Sequence, residues 1–334
     1  MPTLSSAFLR VNVASASALP KGVTPPPLRQ RKLLFVTGKG GVGKTTVAAG
    51  LAESLASEGR SVLLCSVDNR VDVARAFGLE SLKYSPTKVH DRLHVMAMDT
   101  EASLREYLRI FLKLPIFGRI GPIAAAFDFV ATAAPGVKEI LTIGKLCYEV
   151  RENHYDTVVV DSPSTGHIVG YLAAPQALQQ LVRVGLIRTQ TDWMLRLLSD
   201  EMTTGVIVVT TAEEMPVSEA LQLVRAIADE TTTHAGAVVV NRVLTELFVA
   251  RDVAVVAALA QPRVAPFDDP ALNGLFDAAH VATERRRVAA EQLTVLRAGL
   301  PTNLPVVIQP NLFFATSPRD LVASVAQSLS EELR

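Results

Sequence analysis

The amino-acid sequence predicts an α/β fold of three layers, in which a mostly parallel sheet of about seven to eight strands has helices on both faces and a helical insert. From Lys32 onward, short β-branched runs alternate with longer helical patterns. Strands separated by helices pair in parallel through right-handed crossovers. Each run is apolar almost throughout, as expected of a strand covered on both faces. The predicted strands are 32–37, 61–67, 93–98, 157–161, 205–211, 236–241 and 304–309.

The helices between these runs are recognisable by apolar spacing. In the segment 44–58, Val47, Leu51 and Leu55 recur every fourth residue, and Gly59 follows the last turn. A second helix is predicted with Pro216 in its first turn. No internal repeat or domain boundary follows residue 31, so residues 31–334 are predicted to form a single domain, with a helical subdomain at about 100–150 and 168–204.

Residues 1–30 are predicted to be a flexible N-terminal segment. They are rich in Ser, Ala and Pro and contain no acidic residue, and the Pro25–Pro27 run is typical of a stiff spacer. An organelle transit peptide and a disordered bacterial tail share this composition, and the bacterial tail is the simpler interpretation.

The overall composition excludes several classes of protein. Lys plus Arg and Asp plus Glu number 33 each in 334 residues, so no net charge favours nucleic acid or an anionic membrane. Cys65 and Cys147 stand far apart with no C-x-x-C, which argues against a disulfide framework or a structural zinc site. No apolar run approaches the ~20 residues that cross a bilayer. These features predict a cytoplasmic protein with no nucleic-acid partner.

Residues 38–46 read G-K-G-G-V-G-K-T-T and lie between the first predicted strand and the first helix. This pattern is a phosphate-binding loop: glycines let backbone N–H groups turn towards phosphate oxygens, and the helix start adds its positive end. Lys44 is predicted to reach the β- and γ-phosphates of ATP. The predicted nucleotide-binding residues here are Gly38, Gly40, Gly41, Val42, Gly43, Lys44, Thr45 and Thr46.

Asp161 ends the β-branched run 157–161. An aspartate at the carboxyl end of a strand is the usual partner of a phosphate loop, where it holds Mg²⁺ directly or through water. The hydroxyl of Thr45 is the second predicted ligand. A magnesium site is therefore predicted at Thr45 and Asp161.

The second lysine of the loop, Lys39, gives the motif a form that resembles the deviant Walker A of dimerising ATPases. These include partitioning and septum-placement ATPases, nitrogenase iron protein, and arsenite-pump and tail-anchored-protein-targeting ATPases. The resemblance implies that Lys39 reaches the phosphates of a partner subunit as a catalytic cation. Residues 161–167, D-S-P-S-T-G-H, look like the D-T-x-P-T-G-H switch II of the last two groups, with the proline one position earlier. His167 is interpreted as a structural residue of this segment rather than a catalytic one.

Three further segments resemble the same family. Asp68 matches the leading aspartate of switch I, D-P-A-H-S, and is implied to orient the attacking water, although residues 69–71 do not match. The P-G-V-K-E run at 135–139 resembles a segment of the dimer interface. Asn241, whose amide suits the edge of adenine, and Pro310 match adenine-side positions.

Within this family, the motifs that the chain lacks favour one group of ATPases. The chain has no cysteine cluster for arsenite, no zinc-binding C-x-x-C and no Met-rich client insert. It is most similar to the bacterial ArsA-like ATPases that occur as paired subunits. The implied partners are a second copy or a paralogous ATPase subunit, and an apolar client or membrane protein. The apolar stretch at 104–150 is either a groove for a client or, as the simpler interpretation, a helical layer on the sheet.

The sequence therefore predicts an ATP-hydrolysing switch that forms a nucleotide-sandwich dimer. Its predicted catalytic residues are Lys39, Lys44 and Asp68. Two alternatives stay open: an ATPase of the partitioning or septum-placement type that acts on DNA or membrane, and a nucleotide-binding partner subunit that hydrolyses weakly.

Overall fold

The computed structural model describes residues 27–68, 70–111, 136–181, 185–259 and 270–332. Within them, eight strands form one sheet. The strands are β1 (Leu33–Gly38), β2 (Val62–Ser66), β3 (Thr87–His90), β4 (Leu93–Ala97), β5 (Thr157–Ser164), β6 (Thr204–Thr211), β7 (Ala235–Val243) and β8 (Val306–Pro310).

The helices occupy the connections between these strands. In chain order they are α1 (Lys44–Ser57), α2 (Arg70–Ala76), α3 (Thr100–Phe111), α4 (Val137–Arg151), α5 (Thr165–Leu181), α6 (Leu186–Ser199), α7 (Glu214–Glu230), α8 (Ala250–Leu259), α9 (Pro270–Gly299) and α10 (Pro318–Glu332).

The sheet has the order β3-β4-β2-β5-β1-β6-β7-β8 and is parallel except for β3. The predicted three-layer α/β fold is confirmed, and every predicted strand is present within a few residues. No strand is predicted at β3, which pairs antiparallel with β4 at the edge of the sheet. Its four residues, T-K-V-H, contain a single apolar side chain, so no buried run marked it.

Side-chain alternation along the strands separates two apolar cores. In β1, Leu33 and Phe35 face one core, which α4 to α7 and α9 cover, whereas Leu34 and Val36 face the other, which α1, α2 and α10 cover. The central strands are thus buried on both faces, which explains their continuous apolar runs.

Helix α1 packs on the sheet through the predicted residues Val47, Leu51 and Leu55, all buried. On its other side it meets α10 so closely that a Cβ on Gly50 would lie 2.4 Å from Cγ1 of Val325. The helix ends at Ser57, and Gly59 adopts a left-handed φ of 90° beyond it.

The predicted N-terminal segment is described only from Pro27 onward, and residues 1–26 lie outside the described ranges. Residues 28–30 form a 3₁₀ turn in which Leu28 and Arg29 are buried. The Arg29 guanidinium donates to Ser54 Oγ at 2.8 Å and to the carbonyl of Ser330 at 2.9 Å. Arg29, which the composition groups with the terminal segment, therefore packs on α1 and α10.

The ranges of the predicted helical subdomain contain α3 and α4 and α5 and α6, and their grouping as a subdomain stays a prediction. Ile143 and Leu146 of α4 pack on the sheet, and a cavity of about 180 Å³ with mainly apolar walls lies among the four helices. Residues 112–135, which hold much of the apolar stretch noted in the sequence, lie outside the described ranges. Among the described helices, none combines the length and apolarity that crossing a bilayer requires.

Candidate functional site

The loop between β1 and α1 needs glycine for steric reasons. Gly41 and Gly43 have φ values of 88° and 93°, where side chains are strained. A Cβ on Gly43 would lie 2.3 Å from Nδ2 of Asn241, and one on Gly38 would lie 2.0 Å from the carbonyl oxygen of Val209. The loop is therefore pressed against the carboxyl ends of β6 and β7.

The opposite side of the same loop is open. A Cβ on Gly40 or Gly41 would meet no atom within 4 Å. The N–H groups of the first turn of α1 have no acceptor within the helix, and the helix start carries a partial positive charge. The space beside the loop is thus lined by backbone donors, an arrangement that binds phosphate oxygens.

Lys44, the first residue of α1, folds its side chain back over the loop. Its Nζ donates to the carbonyl oxygen of Lys39 at 3.1 Å. Burial lowers the pKa of Lys44, although the charges of Asp161 and Asp68 act in the opposite direction. A partly desolvated ammonium held by one carbonyl gains much from an anionic partner, as a phosphate would provide.

Lys39 extends away from Lys44 and towards α7. Its Nζ donates to Oε1 of Glu219 at 2.5 Å, and each side chain is about one-third exposed. The two lysines of the loop therefore have separate environments, and Glu219 holds the Lys39 ammonium at the side of α7.

The predicted metal ligands Thr45 and Asp161 lie together. The Thr45 hydroxyl donates to Oδ2 of Asp161 at 2.8 Å, and Asp161 is only 2% exposed. Burial raises the pKa of Asp161 to about 6, against the lowering effects of the Thr45 hydrogen bond and the Lys44 charge. A buried carboxylate beside a hydroxyl offers the hard oxygen ligands that Mg²⁺ prefers.

Asp68 lies two residues beyond β2 and is half exposed. Its Oδ1 accepts from Nζ of Lys138, in the first turn of α4, at 3.0 Å. The next residue of the predicted switch I, Asn69, lies outside the described ranges.

In the predicted switch II, residues 161–164 belong to β5 and α5 begins at Thr165, so strand and helix follow each other directly.

Asn241 supports the phosphate loop through its side-chain amide. Its Nδ2 donates to the carbonyl of Val42 at 2.8 Å, and its Oδ1 accepts from the backbone N–H of Arg242 at 3.0 Å. Arg242 has a left-handed φ of 59° and donates to the carbonyl of Gly41 at 3.1 Å. Pro310 ends β8 and is paired in the sheet with Val243. Contact of Asn241 and Pro310 with adenine stays a prediction, and the amide of Asn241 already braces the loop.

A cleft of about 310 Å³ adjoins the loop. Its lining includes Thr45 and Thr46, the charged residues Asp72, Arg75 and Arg242, and the apolar Leu321 of α10. Space with charged and apolar walls beside a phosphate loop suits a nucleoside.

Three residues that contact the predicted site carry no predicted role: Glu219, Lys138 and Arg242. Lys138 falls within the P-G-V-K-E run at 135–139, and Arg242 directly follows the predicted Asn241. Glu219 is one acidic residue of a helix and carries no motif, so the sequence held no signal for it.

The chain is similar in sequence to known ATPases. The sequence profile of the family described as anion-transporting ATPase matches residues 31–199. ATPase BagA of Mycobacterium tuberculosis is 36% identical over 229 residues, which cover 65% of this chain and 67% of that protein. ATPase get3 of Neurospora crassa is 33% identical over 167 residues, which cover 49% of each chain. An ATPase ASNA1 homolog of Cryptosporidium parvum is 34% identical over 155 residues, which cover 46% of this chain and 40% of that protein.

Proposed function

The chain belongs to the anion-transporting, ArsA-like ATPase family and is an ATPase, and from that premise we propose that it is a switch that closes as a dimer around two ATP molecules. The observation that carries the proposal is the separation of the two loop lysines. Lys44 stays with its own loop, whereas Glu219 holds Lys39, which is about one-third exposed, beside α7. A lysine in that position is available to the nucleotide of a second subunit.

ATP is proposed to bind with its phosphates in the amide-lined loop. Lys44 contacts the β- and γ-phosphates, and the backbone at Gly40 and Gly41 approaches the anionic oxygens because no side chain fills that space. Thr46 and Arg242 face the cleft in which the nucleoside lies.

Mg²⁺ is proposed to be held by the Thr45 hydroxyl and the Asp161 carboxylate, directly or through water. The residues fit the ion, since both supply oxygen and lie 2.8 Å apart. Mg²⁺ bound there supplies positive charge to the β- and γ-phosphate oxygens. Within the described residues, no cluster of three or more His, Cys, Asp or Glu suggests another metal site.

The titration of Asp161 makes metal-dependent binding sensitive to pH. Because the pKa of its carboxyl is raised from 3.8 to about 6, the group is increasingly protonated below that pH and must lose a proton to bind Mg²⁺. We expect MgATP affinity to fall by up to roughly tenfold per unit below about pH 6. The stability of the protein without nucleotide depends on pH in the opposite direction. Because the Asp161 carboxyl binds a proton more tightly in the folded state, its contribution to the free energy of unfolding falls as pH rises from about 4 to 6.

Calorimetric titration of MgATP between pH 5 and 8 measures this dependence. The terminal phosphate of ATP titrates in a similar range, so the same series on Asp161→Asn is the matched control. A pH profile that is equally steep in both proteins would contradict a role for the Asp161 carboxyl.

Hydrolysis is proposed to follow in-line attack of water. The water oxygen bonds to the γ-phosphorus, the bond to the bridging oxygen breaks with its electron pair going to ADP, and both hydrogens of the water finish on inorganic phosphate. Asp68 orients the water, and Lys39 of the second subunit neutralises charge that develops on the phosphates.

The surface around the loop supports closure against a second subunit. Four exposed apolar side chains follow the carboxyl ends of β2, β6 and β8, the edge of the sheet that carries the phosphate loop. They are Val71 (64% exposed), Met215 (65%), Phe313 (61%) and Phe314 (94%). Exposed apolar side chains at one edge favour a protein interface there.

ATP-dependent dimerisation tests this proposal. Light scattering of the purified chain should show a monomer without nucleotide and a dimer with Mg²⁺ and a non-hydrolysable ATP analogue. Met215→Asp should weaken the dimer by roughly tenfold or more, because a charge would be buried at the interface. Val288→Asp places the same charge on α9, at an exposed apolar residue away from the phosphate loop, and should change nothing. A monomer under every condition, alone and with a paralogous subunit, would rule out the dimer.

The partner of the switch is proposed to be an apolar client or a membrane protein. The cavity of about 180 Å³ among α3, α4, α5 and α6 supports an apolar partner surface in the helical subdomain.

The C-terminal helix α10 buries Val322, Val325 and Leu329 against the body, so those side chains are not available to a membrane. No feature of the described residues favours the alternative of a partitioning or septum-placement ATPase.

A further inference from the structure

Lys138 connects helix α4 to the predicted switch I. It is the second residue of α4, and Gly136 precedes the helix with a left-handed φ of 86°. Its Nζ lies 3.0 Å from Oδ1 of Asp68.

A second contact holds the same ammonium. Lys138 Nζ lies 5.9 Å from the ring centroid of Tyr171, whose side chain is 4% exposed and so is fixed by packing. Tyr171 belongs to α5, the helix that begins where β5 ends, and lies ten residues beyond Asp161. Partial burial alone would lower the pKa of Lys138, but hydrogen bonds to Tyr171 and Asp68 outweigh it and raise the pKa. The side chain therefore stays charged at neutral pH.

Asp68 needs a partner of this kind. The backbone before it is anchored, since the N–H of Val67 donates to the carbonyl of Asp161 at 3.1 Å. After Asp68 the sequence continues Asn-Arg-Val, with no proline to restrict the turn. A half-exposed carboxylate can occupy several rotamers, and fixing one of them requires a contact from elsewhere in the fold.

We infer that Lys138 is a positioning residue for ATP hydrolysis, which holds Oδ1 of Asp68 so that Oδ2 can accept a hydrogen bond from the attacking water. The inference rests on the proposed function and deepens it. Lys138 touches neither nucleotide nor water in this role. It acts by restricting the carboxylate that does, and Tyr171 in turn restricts Lys138. Misplacing a reacting group by about 1 Å can cost roughly 100-fold in rate.

Phosphate release by Lys138→Met tests the inference, because methionine keeps the length of the stem and removes the charge. We expect kcat to fall roughly 10- to 100-fold with little change in the KM for ATP. Lys138→Arg, which keeps the charge, should recover part of the loss. Lys88→Met removes an ion pair of the same type, between Lys88 and Asp91 at the edge strand β3, and is the matched control with unchanged kcat. The midpoint of thermal unfolding should hardly move in either variant, since exposed ion pairs stabilise little.

A double variant separates positioning from a general effect on the site. If Lys138 acts only through Asp68, Lys138→Met adds no further loss in a protein that already carries Asp68→Asn. Losses that multiply in the double variant, or an unchanged kcat in Lys138→Met while the wild type turns over, would overturn the inference and leave the proposed function standing. If the wild type releases no phosphate, alone or with a paralogous subunit, both fail.

Discussion

Replacing Lys44 with alanine is expected to abolish measurable MgATP binding and all phosphate release. The Lys44 ammonium is partly desolvated and has one backbone carbonyl as its partner. Its bonds to the β- and γ-phosphates would be charge-assisted and poorly replaced by water. Removing one member of such a pair costs about 2–5 kcal/mol, which corresponds to a loss of roughly 30- to 5,000-fold in affinity.

Lys39→Ala is the matched variant, because it removes the same charge from the same loop. We expect it to leave MgATP affinity within a few-fold of the wild type and to lower turnover on the order of 10³-fold, the effect of losing a cationic finger. Calorimetry measures binding, and phosphate release measures turnover. Equal losses of binding in the two variants would contradict the role of Lys39 in a second subunit.

Glu219→Gln removes the negative charge that pairs with Lys39. Glu219 pairs with Lys39 in the single chain, and this pair must open before the lysine reaches a second nucleotide. The variant should therefore retain turnover, and its dimer should be at least as stable as that of the wild type. A loss of turnover equal to that of Lys39→Ala would show that Glu219 is needed for more than holding the lysine.

Asp68→Asn is also expected to lower turnover strongly. The amide keeps the size of the carboxylate but weakens the hydrogen bond that orients water, so turnover should fall on the order of 100-fold or more. MgATP binding should persist, because Asp68 does not belong to the phosphate cradle. The variant should accumulate as an ATP-bound dimer, visible by light scattering and by nucleotide content after gel filtration. Unchanged turnover would remove Asp68 from the mechanism.

The phosphate loop and the sheet could be predicted because their signals are local. Nine consecutive residues, 38–46, carry the steric and electrostatic requirements of the loop, and the runs of β1, β2 and β5 are apolar because both faces are covered. Edge strand β3 is not predicted because a short strand that is only partly buried needs no such run.

The predicted roles of Asn241 and the switch segments were harder to derive. A terminal Asn suits an adenine edge, but in the fold its amide donates to Val42 and accepts from Arg242. The partners of the Asn241 amide depend on which loops pack beside it in the fold. The sequence of β7, which carries Asn241, does not show that packing.

The sequence alone determined the family and the α/β layering and predicted the chemistry of the loop, since these follow from spacing and residue type over short stretches. Only the tertiary structure decided which charges meet. Lys39 and Glu219 are 180 positions apart, and Asp68 and Lys138 are 70 apart, yet each pair is in contact. Parallel crossovers bring the carboxyl ends of distant strands to one edge of the sheet, so these pairs depend on the order of the strands and on the helices that follow them.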